Sequence, residues 1–164
     1  MRIEEFNALP ADEAAALIRA CADADHWVAA VVDGRPYADV PALVAAAAKL
    51  ADEWTADDVD QALAGHPRIG ERPSGAGASD ASSAREQAGV DLADAELATA
   101  LRAGNAAYEA KFGRIYLVRA KGRTGPQLLA LLRERLTNDP ETEEAVMTQQ
   151  LREIALLRIE GLFS

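Results

Sequence analysis

The stretch Pro10-Ala11-Asp12-Glu13-Ala14-Ala15-Ala16-Leu17-Ile18-Arg19-Ala20-Cys21 decides the fold class, because Ala14, Leu17, Ile18 and Cys21 fall at i, i+3, i+4 and i+7. That spacing lines one face of an α-helix with apolar side chains, and Pro10 stands where a helix start tolerates a missing N–H. Outward from it, the same period recurs. A short helix is predicted from Asp25 through Trp27, Val28 and Val31 to Gly34. After the turn Arg35-Pro36-Tyr37, an alanine-rich helix from Pro41 to Trp54 carries Leu43, Ala47, Leu50 and Trp54. Thr55 is a natural N-cap for a helix through Val59, Ala62 and Leu63, which Gly65 stops.

In the second half, Pro73 to Ser83 is Gly, Ser, Ala and Asp without a period, which predicts a loop. A helix is expected to open at Ser83, since Ser followed three residues later by Glu86 is a capping box. Another, from Asp94 to Phe112, aligns Leu97, Leu101, Tyr108 and Phe112 before Gly113 ends it. Ile115-Tyr116-Leu117-Val118 is strand-like but too short and solitary to imply a sheet. Thr124 with Gln127 forms a capping box for a leucine-rich helix ending near Leu136, and Asp139-Pro140 starts a final helix running to Gly161. No internal repeat and no long linker divides the chain. The expected architecture is all-α: one domain over residues 1–164, a bundle of about eight helices with an extended segment near 115–120.

Composition narrows the function. Of 164 residues 49% are hydrophobic and 27% charged, a globular balance, and the formal net charge of −10 with no basic patch argues against nucleic acid. No apolar run approaches the ~20 residues that span a bilayer, and Met1-Arg2-Ile3-Glu4-Glu5 lacks the pattern of a signal peptide. Leu162-Phe163-Ser164 is not a peroxisomal address. The single cysteine, Cys21, leaves no internal disulfide and no cysteine-built metal site, so a cytoplasmic location is expected. Arginines greatly outnumber Lys49, Lys111 and Lys121, and their planar forks suit carboxylate recognition inside a negative surface.

Three features carry chemistry. His66 sits in Gly65-His66-Pro67-Arg68-Ile69-Gly70, where Pro67 pushes it toward extended geometry and the two glycines permit sharp bends. Its ordinary pKa of ~6.5 suits a general acid or base, although Gly-His-Pro also reads as a plain helix stop. Ser83-Ala84-Arg85-Glu86-Gln87 reads either as a cap or as a helix N-terminus facing an anionic ligand, with Glu86 the carboxylate that orients His66. Arg158 falls in line with Met147, Leu151 and Ile154, so the final helix sets a guanidinium on its apolar stripe. A buried charge there requires an internal carboxylate or a bound anion, unless the side chain snorkels to water.

These pieces, in order, resemble one family. His66-Pro67 with Ile69-Gly70, Ser83-x-x-Glu86-Gln87-Ala88-Gly89, Asn105-x-x-Tyr108-x-x-Lys111-Phe112-Gly113, Tyr116-Leu117-Val118-Arg119-Ala120 and Leu157-Arg158 are similar to the motifs of 2-oxo-4-hydroxy-4-carboxy-5-ureidoimidazoline (OHCU) decarboxylase, which completes the conversion of urate to (S)-allantoin. The likeness extends to Phe6-Asn7-Ala8-Leu9 and to Arg35-Pro36-Tyr37. It implies an all-helical homodimer in purine breakdown, working without metal or organic cofactor on a small-molecule substrate. His66 would be the catalytic acid and Glu86 its partner. Pro67, the residues Ser83, Ala84, Arg85, Glu86 and Gln87, and the residues Tyr116, Leu117, Val118, Arg119 and Ala120 would contact substrate, with Arg158 lining the pocket. Arg119 departs from the family, many of whose members carry a small residue there.

The implied chemistry suits these residues. The substrate has a carboxylate and a hydroxyl on one ring carbon beside a C=N carbon, so loss of CO2 leaves an electron pair that the C=N accepts. The protein then need only hold the carboxylate out of the ring plane and donate a proton where charge develops. Two other readings are open at this level: a non-catalytic helical interaction module, and a decarboxylase or hydrolase of a related ureido compound.

Overall fold

The computed structural model describes residues 1–71, 77–91 and 93–164 and is helical throughout its regular parts. The helices are α1 (Ile3–Ala8), α2 (Ala11–Cys21), α3 (Asp25–Asp33), α4 (Val40–Ala51), α5 (Ala56–Leu63), α6 (Ala78–Glu86), α7 (Ala95–Phe112), α8 (Gly125–Arg135) and α9 (Pro140–Leu162). Most starts are set by the caps visible in the sequence. Thr55 and Asp58 make a reciprocal capping box, as do Thr124 and Gln127, and the Asp94 side chain accepts the Leu97 N–H. Gly113 ends α7 at φ +71°, a conformation that suits glycine.

Two details differ from the expectation. The described residues hold nine helices rather than about eight, because the six-residue α1 precedes α2. The helix expected to open at Ser83 instead starts at Ala78 with Gly77 as N-cap, so Ser83 and Glu86 lie in its interior and last turn and form no capping box. Alanines and the first-turn Asp80 favour this earlier start, while the lack of an apolar stripe hides it: Ser83 alone is buried. The predicted loop from Pro73 to Ser83 thus gives way to helix from Ala78, and its residues 73–76 lie outside the described residues. Ile115 to Val118 pairs with no strand among the described residues, in keeping with the solitary extended segment expected there.

The chain forms two compact units. Unit 1 comprises Met1–Gly65 with Arg152–Ser164. Its core gathers Phe6, Ile18, Trp27, Val31, Leu43, Ala47 and Ile159, all buried. Trp27 donates its indole N–H to the Ala47 carbonyl at 3.0 Å and meets Trp54 edge to face at 5.6 Å. The two opening motifs hold each other: Asn7 Nδ2 donates to the Tyr37 carbonyl at 2.8 Å and Asn7 Oδ1 accepts the Tyr37 N–H at 2.9 Å. Arg35 Nη1 meanwhile satisfies the Phe6 and Leu9 carbonyls at 3.0 and 2.8 Å, where α1 ends.

Unit 2 is the continuous stretch His66–Leu151. Its core includes Ile69, Leu97, Leu101, Tyr108, Tyr116, Val118, Leu128 and Leu132. Helices α7 and α8 pack closely where glycines leave room: a Cβ on Gly104 would run into Leu132, and one on Gly125 into Leu97. Lys111 Nζ donates to the carbonyls of Leu136 and Asn138 at 2.6 and 2.9 Å, which caps the end of α8. Helix α9 contributes its first half to unit 2 and its second half to unit 1.

Candidate active site

The loop from His66 to Gly70 is held by side chains at nearly every step. Gly70 takes φ +86°, and its N–H donates to Gln87 Oε1 at 3.0 Å. Gln87 Nε2 returns to the Arg68 carbonyl at 3.4 Å, and Asn105 Nδ2 donates to the Ile69 carbonyl at 2.9 Å. Arg68 Nε also pairs with Glu109 at 2.8 Å, one helical turn beyond Asn105. Ile69 drops into the core. A loop without regular structure is thus fixed by α6 and α7, and the half-buried His66 and Pro67 are presented on a rigid support.

On α6, residues three and four apart share a face. Ser83 is buried and Glu86 and Gln87 are half-buried, whereas Ala84 and Arg85 stand on the exposed side. The structure therefore splits the predicted segment Ser83–Gln87 into an inward set and an outward set. The bonds of Gln87 to Arg68 and Gly70 bring the Glu86 end of α6 to the His66 loop.

The segment Tyr116–Ala120 crosses the same unit, with Tyr116, Leu117, Val118 and Ala120 buried and Arg119 half-buried. Tyr116, Val118 and Ala120 share the core of Ile69, so the segment and the His66 loop rest on one cluster. The Arg119 N–H donates to Gln150 Oε1 at 2.9 Å, and its carbonyl accepts Arg123 Nη1 at 3.1 Å. Tyr116 donates its hydroxyl to the Leu128 carbonyl at 3.1 Å, and burial pushes its pKa up to about 12. Tyr108 is raised further, first by burial and then by its hydrogen bond to Glu143. A cavity of about 180 Å³ opens beside Val118, against Arg123, Leu131, Arg135, Asn138 and Gln150. Val118 is its sole lining residue from the predicted site.

Arg158 belongs to unit 1. It is 7% exposed on the Met147, Leu151, Ile154 stripe, and its Nη1 reaches the Ala20 carbonyl at 3.4 Å, in the last turn of α2. The stripe is as the spacing predicts, and a helix-end carbonyl joins the partners expected for a buried guanidinium. The chain's other histidine, His26, is exposed on α3. Among the described residues no group of three His, Cys, Asp or Glu is arranged to hold a metal ion.

Sequence reasoning did not single out Arg135, Glu143 or Gln150, whose side chains secure the segment, and gave Asn105 no role of its own in holding the loop. The Asn105-x-x-Tyr108-x-x-Lys111 spacing carried part of that signal. In the structure its members reach the Ile69 carbonyl, Glu143 and the end of α8.

Comparison with known proteins gives the same direction. A 2-oxo-4-hydroxy-4-carboxy-5-ureidoimidazoline decarboxylase from Amia calva is 31% identical over 136 residues, covering 82% of this chain and 78% of the relative. The uric acid degradation bifunctional protein TTL of Arabidopsis thaliana is 33% identical over 63% of this chain, and the uric acid degradation bifunctional protein of Bacillus sp. (strain TB-90) is 25% identical over 99% of it. The matches span 33% and 32% of those longer proteins. A crystal structure of OHCU decarboxylase in the presence of (S)-allantoin superposes with a TM-score of 0.74 at 25% identity, covering 88% of this chain and 95% of that one. A structure of (S)-allantoin synthase shares the fold, with a TM-score of 0.73 at 20% identity over 100% of this chain and 54% of that one. Residues 7–160 match the family described as OHCU decarboxylase, and the chain belongs to that family.

Proposed function

We propose that this protein decarboxylates OHCU to (S)-allantoin, the last step in converting urate to allantoin. The observation that carries the proposal is the 31% identity to the Amia calva decarboxylase across most of both chains. The family match from residue 7 to 160 passes through both units, which supports reading residues 1–164 as one functional domain.

The roles proposed for the residues follow from the chemistry. His66, on its fixed loop, donates a proton or hydrogen bond where negative charge develops as CO2 leaves. Glu86, on the half-buried face of α6, orients His66 and stabilises its protonated form. The backbone of Tyr116–Ala120, whose groups are held from behind by side chains, contacts the substrate and helps turn its carboxylate out of the ring plane. The electron pair moves into the ring C=N, so the substrate supplies the sink. Contact through the backbone makes the unusual Arg119 compatible with the reaction, since its N–H and carbonyl keep their partners whatever the side chain. A cytoplasmic location and a homodimer belong to the same proposal. No described helix is long and apolar enough to cross a membrane, and size-exclusion chromatography with light scattering tests the dimer.

The direct test generates the substrate from urate with uricase and the hydrolase that follows it, and records its ultraviolet decay with and without this protein. The proposal expects accelerated decay and product of one hand, (S)-allantoin. Decay at the spontaneous rate, or racemic product, would remove the assignment.

A further inference from the structure

Among the described residues no strand lies beside Tyr116–Ala120; the Ala120 carbonyl accepts the Arg123 N–H at 3.0 Å, while the Leu117 carbonyl and the N–H and carbonyl of Arg119 take side-chain partners. Arg135 and Glu143 supply the central tie. Both are buried, at 5% and 2% exposure. Glu143 Oε1 accepts Arg135 Nε at 2.7 Å, Arg135 Nη2 at 2.5 Å and the Tyr108 hydroxyl at 2.6 Å, while Oε2 accepts Asn138 Nδ2 at 3.0 Å. The carboxylate thus fixes the guanidinium plane. The remaining nitrogen, Nη1, donates to the Leu117 carbonyl at 2.6 Å, and the guanidinium carbon lies 4.9 Å from the centre of the Tyr116 ring.

A buried ion pair is an indirect way to fill a core, since apolar side chains of similar volume are often as stabilising or more so. What an apolar pair cannot do is hold a carbonyl oxygen in one place. The Tyr116, Val118 and Ala120 side chains are held by the core, and the Arg135 fork adds a fixed partner for the Leu117 carbonyl between them, beside the cavity that Val118 and Arg135 line. We propose that Arg135, oriented by Glu143, is a positioning residue for the substrate reaction: it sets the Leu117 carbonyl and the Tyr116 ring, and so the place at which the segment meets the substrate. This rests on the reading above that Tyr116–Ala120 contacts substrate.

The test compares the parent with Arg135→Lys and with the paired replacement Arg135→Met with Glu143→Leu. Lysine keeps the charge but loses the fork that spans Glu143 and Leu117. The apolar pair removes the tie while filling the space. Thermal melts establish folding, steady-state kinetics on freshly generated substrate separate KM from kcat, and calorimetric titration with (S)-allantoin reads binding without turnover. Both variants are expected to fold, with at least a tenfold loss in kcat/KM carried chiefly by KM and a matching loss in product affinity. A folded variant with parental kcat/KM and product affinity would overturn the proposal. So would unfolding of both variants, which would make the network a support of the fold rather than of the segment. A parent inactive on the substrate would instead overturn the functional assignment, a distinct result.

Discussion

Gln87 accepts the Gly70 N–H at 3.0 Å, and that single bond joins the last residue of a predicted substrate-binding motif to the loop that begins at His66. The side chain is occupied with backbone on both of its ends, since Nε2 donates to Arg68. Gln87 therefore has the geometry of a loop clamp.

Gln87→Leu keeps the approximate volume and removes both bonds. Stability should fall by ~1 kcal/mol, the usual worth of such hydrogen bonds, and turnover should fall with it as the His66 loop loosens. Urea denaturation beside steady-state kinetics checks this. A loss of turnover with unchanged stability would show that the amide acts on the substrate instead.

His66→Asn removes the proposed proton donor from a loop that Gln87, Asn105 and Ile69 hold in place. The fold should survive and kcat should drop by at least ~10²-fold. Near-parental turnover in a folded variant would defeat the assignment.

Glu86→Gln separates charge from shape. Because α6 starts at Ala78, Glu86 has no capping box to maintain, and the change should leave stability within ~1 kcal/mol of the parent while slowing turnover strongly. Equal rates for variant and parent would leave Glu86 without a catalytic role.

All three tyrosines of the chain, Tyr37, Tyr108 and Tyr116, have pKa values raised by burial. The folded protein should thus show less tyrosinate at pH ~10 than the unfolded chain, whose free phenols are half ionised there. Between that pH and the Tyr116 value of about 12 the unfolded chain loses phenolic protons that the folded chain keeps, so stability declines as pH rises through this window and is fully present below it. Ultraviolet titration beside alkaline melts measures both. Half-ionisation of the folded tyrosines at pH ~10 would contradict it.

What the sequence disclosed was whatever is encoded locally. Thr55 with Asp58, Asp94, Gly113 and Thr124 with Gln127 mark helix ends because each cap is satisfied within three or four residues, and α2 shows its apolar stripe directly. Helix α6 escaped because a helix with one buried residue has almost no periodic signal, and a Ser-x-x-Glu spacing inside it imitates a start. Tyr116 to Val118 reads as a strand because its side chains are those that suit a buried extended backbone. Its partners are Arg135 and Gln150, distant in the chain, and nothing local distinguishes Arg135 from an ordinary basic residue at the end of α8. The histidine loop was legible as a rigid turn, but its clamps Gln87 and Asn105 were not.

The shared ownership of α9 bears on how the chain matures at the ribosome. Unit 2 is one uninterrupted stretch, so all its core residues have been synthesised once Leu151 has emerged. Unit 1 is discontinuous: Phe6, Ile18 and Trp27 precede unit 2 in the chain, yet the Ala155 and Ile159 that complete their core follow it. The first-made helices must therefore wait, with apolar faces uncovered, until the second half of α9 has been synthesised, which makes them natural clients of a chaperone that binds nascent chains.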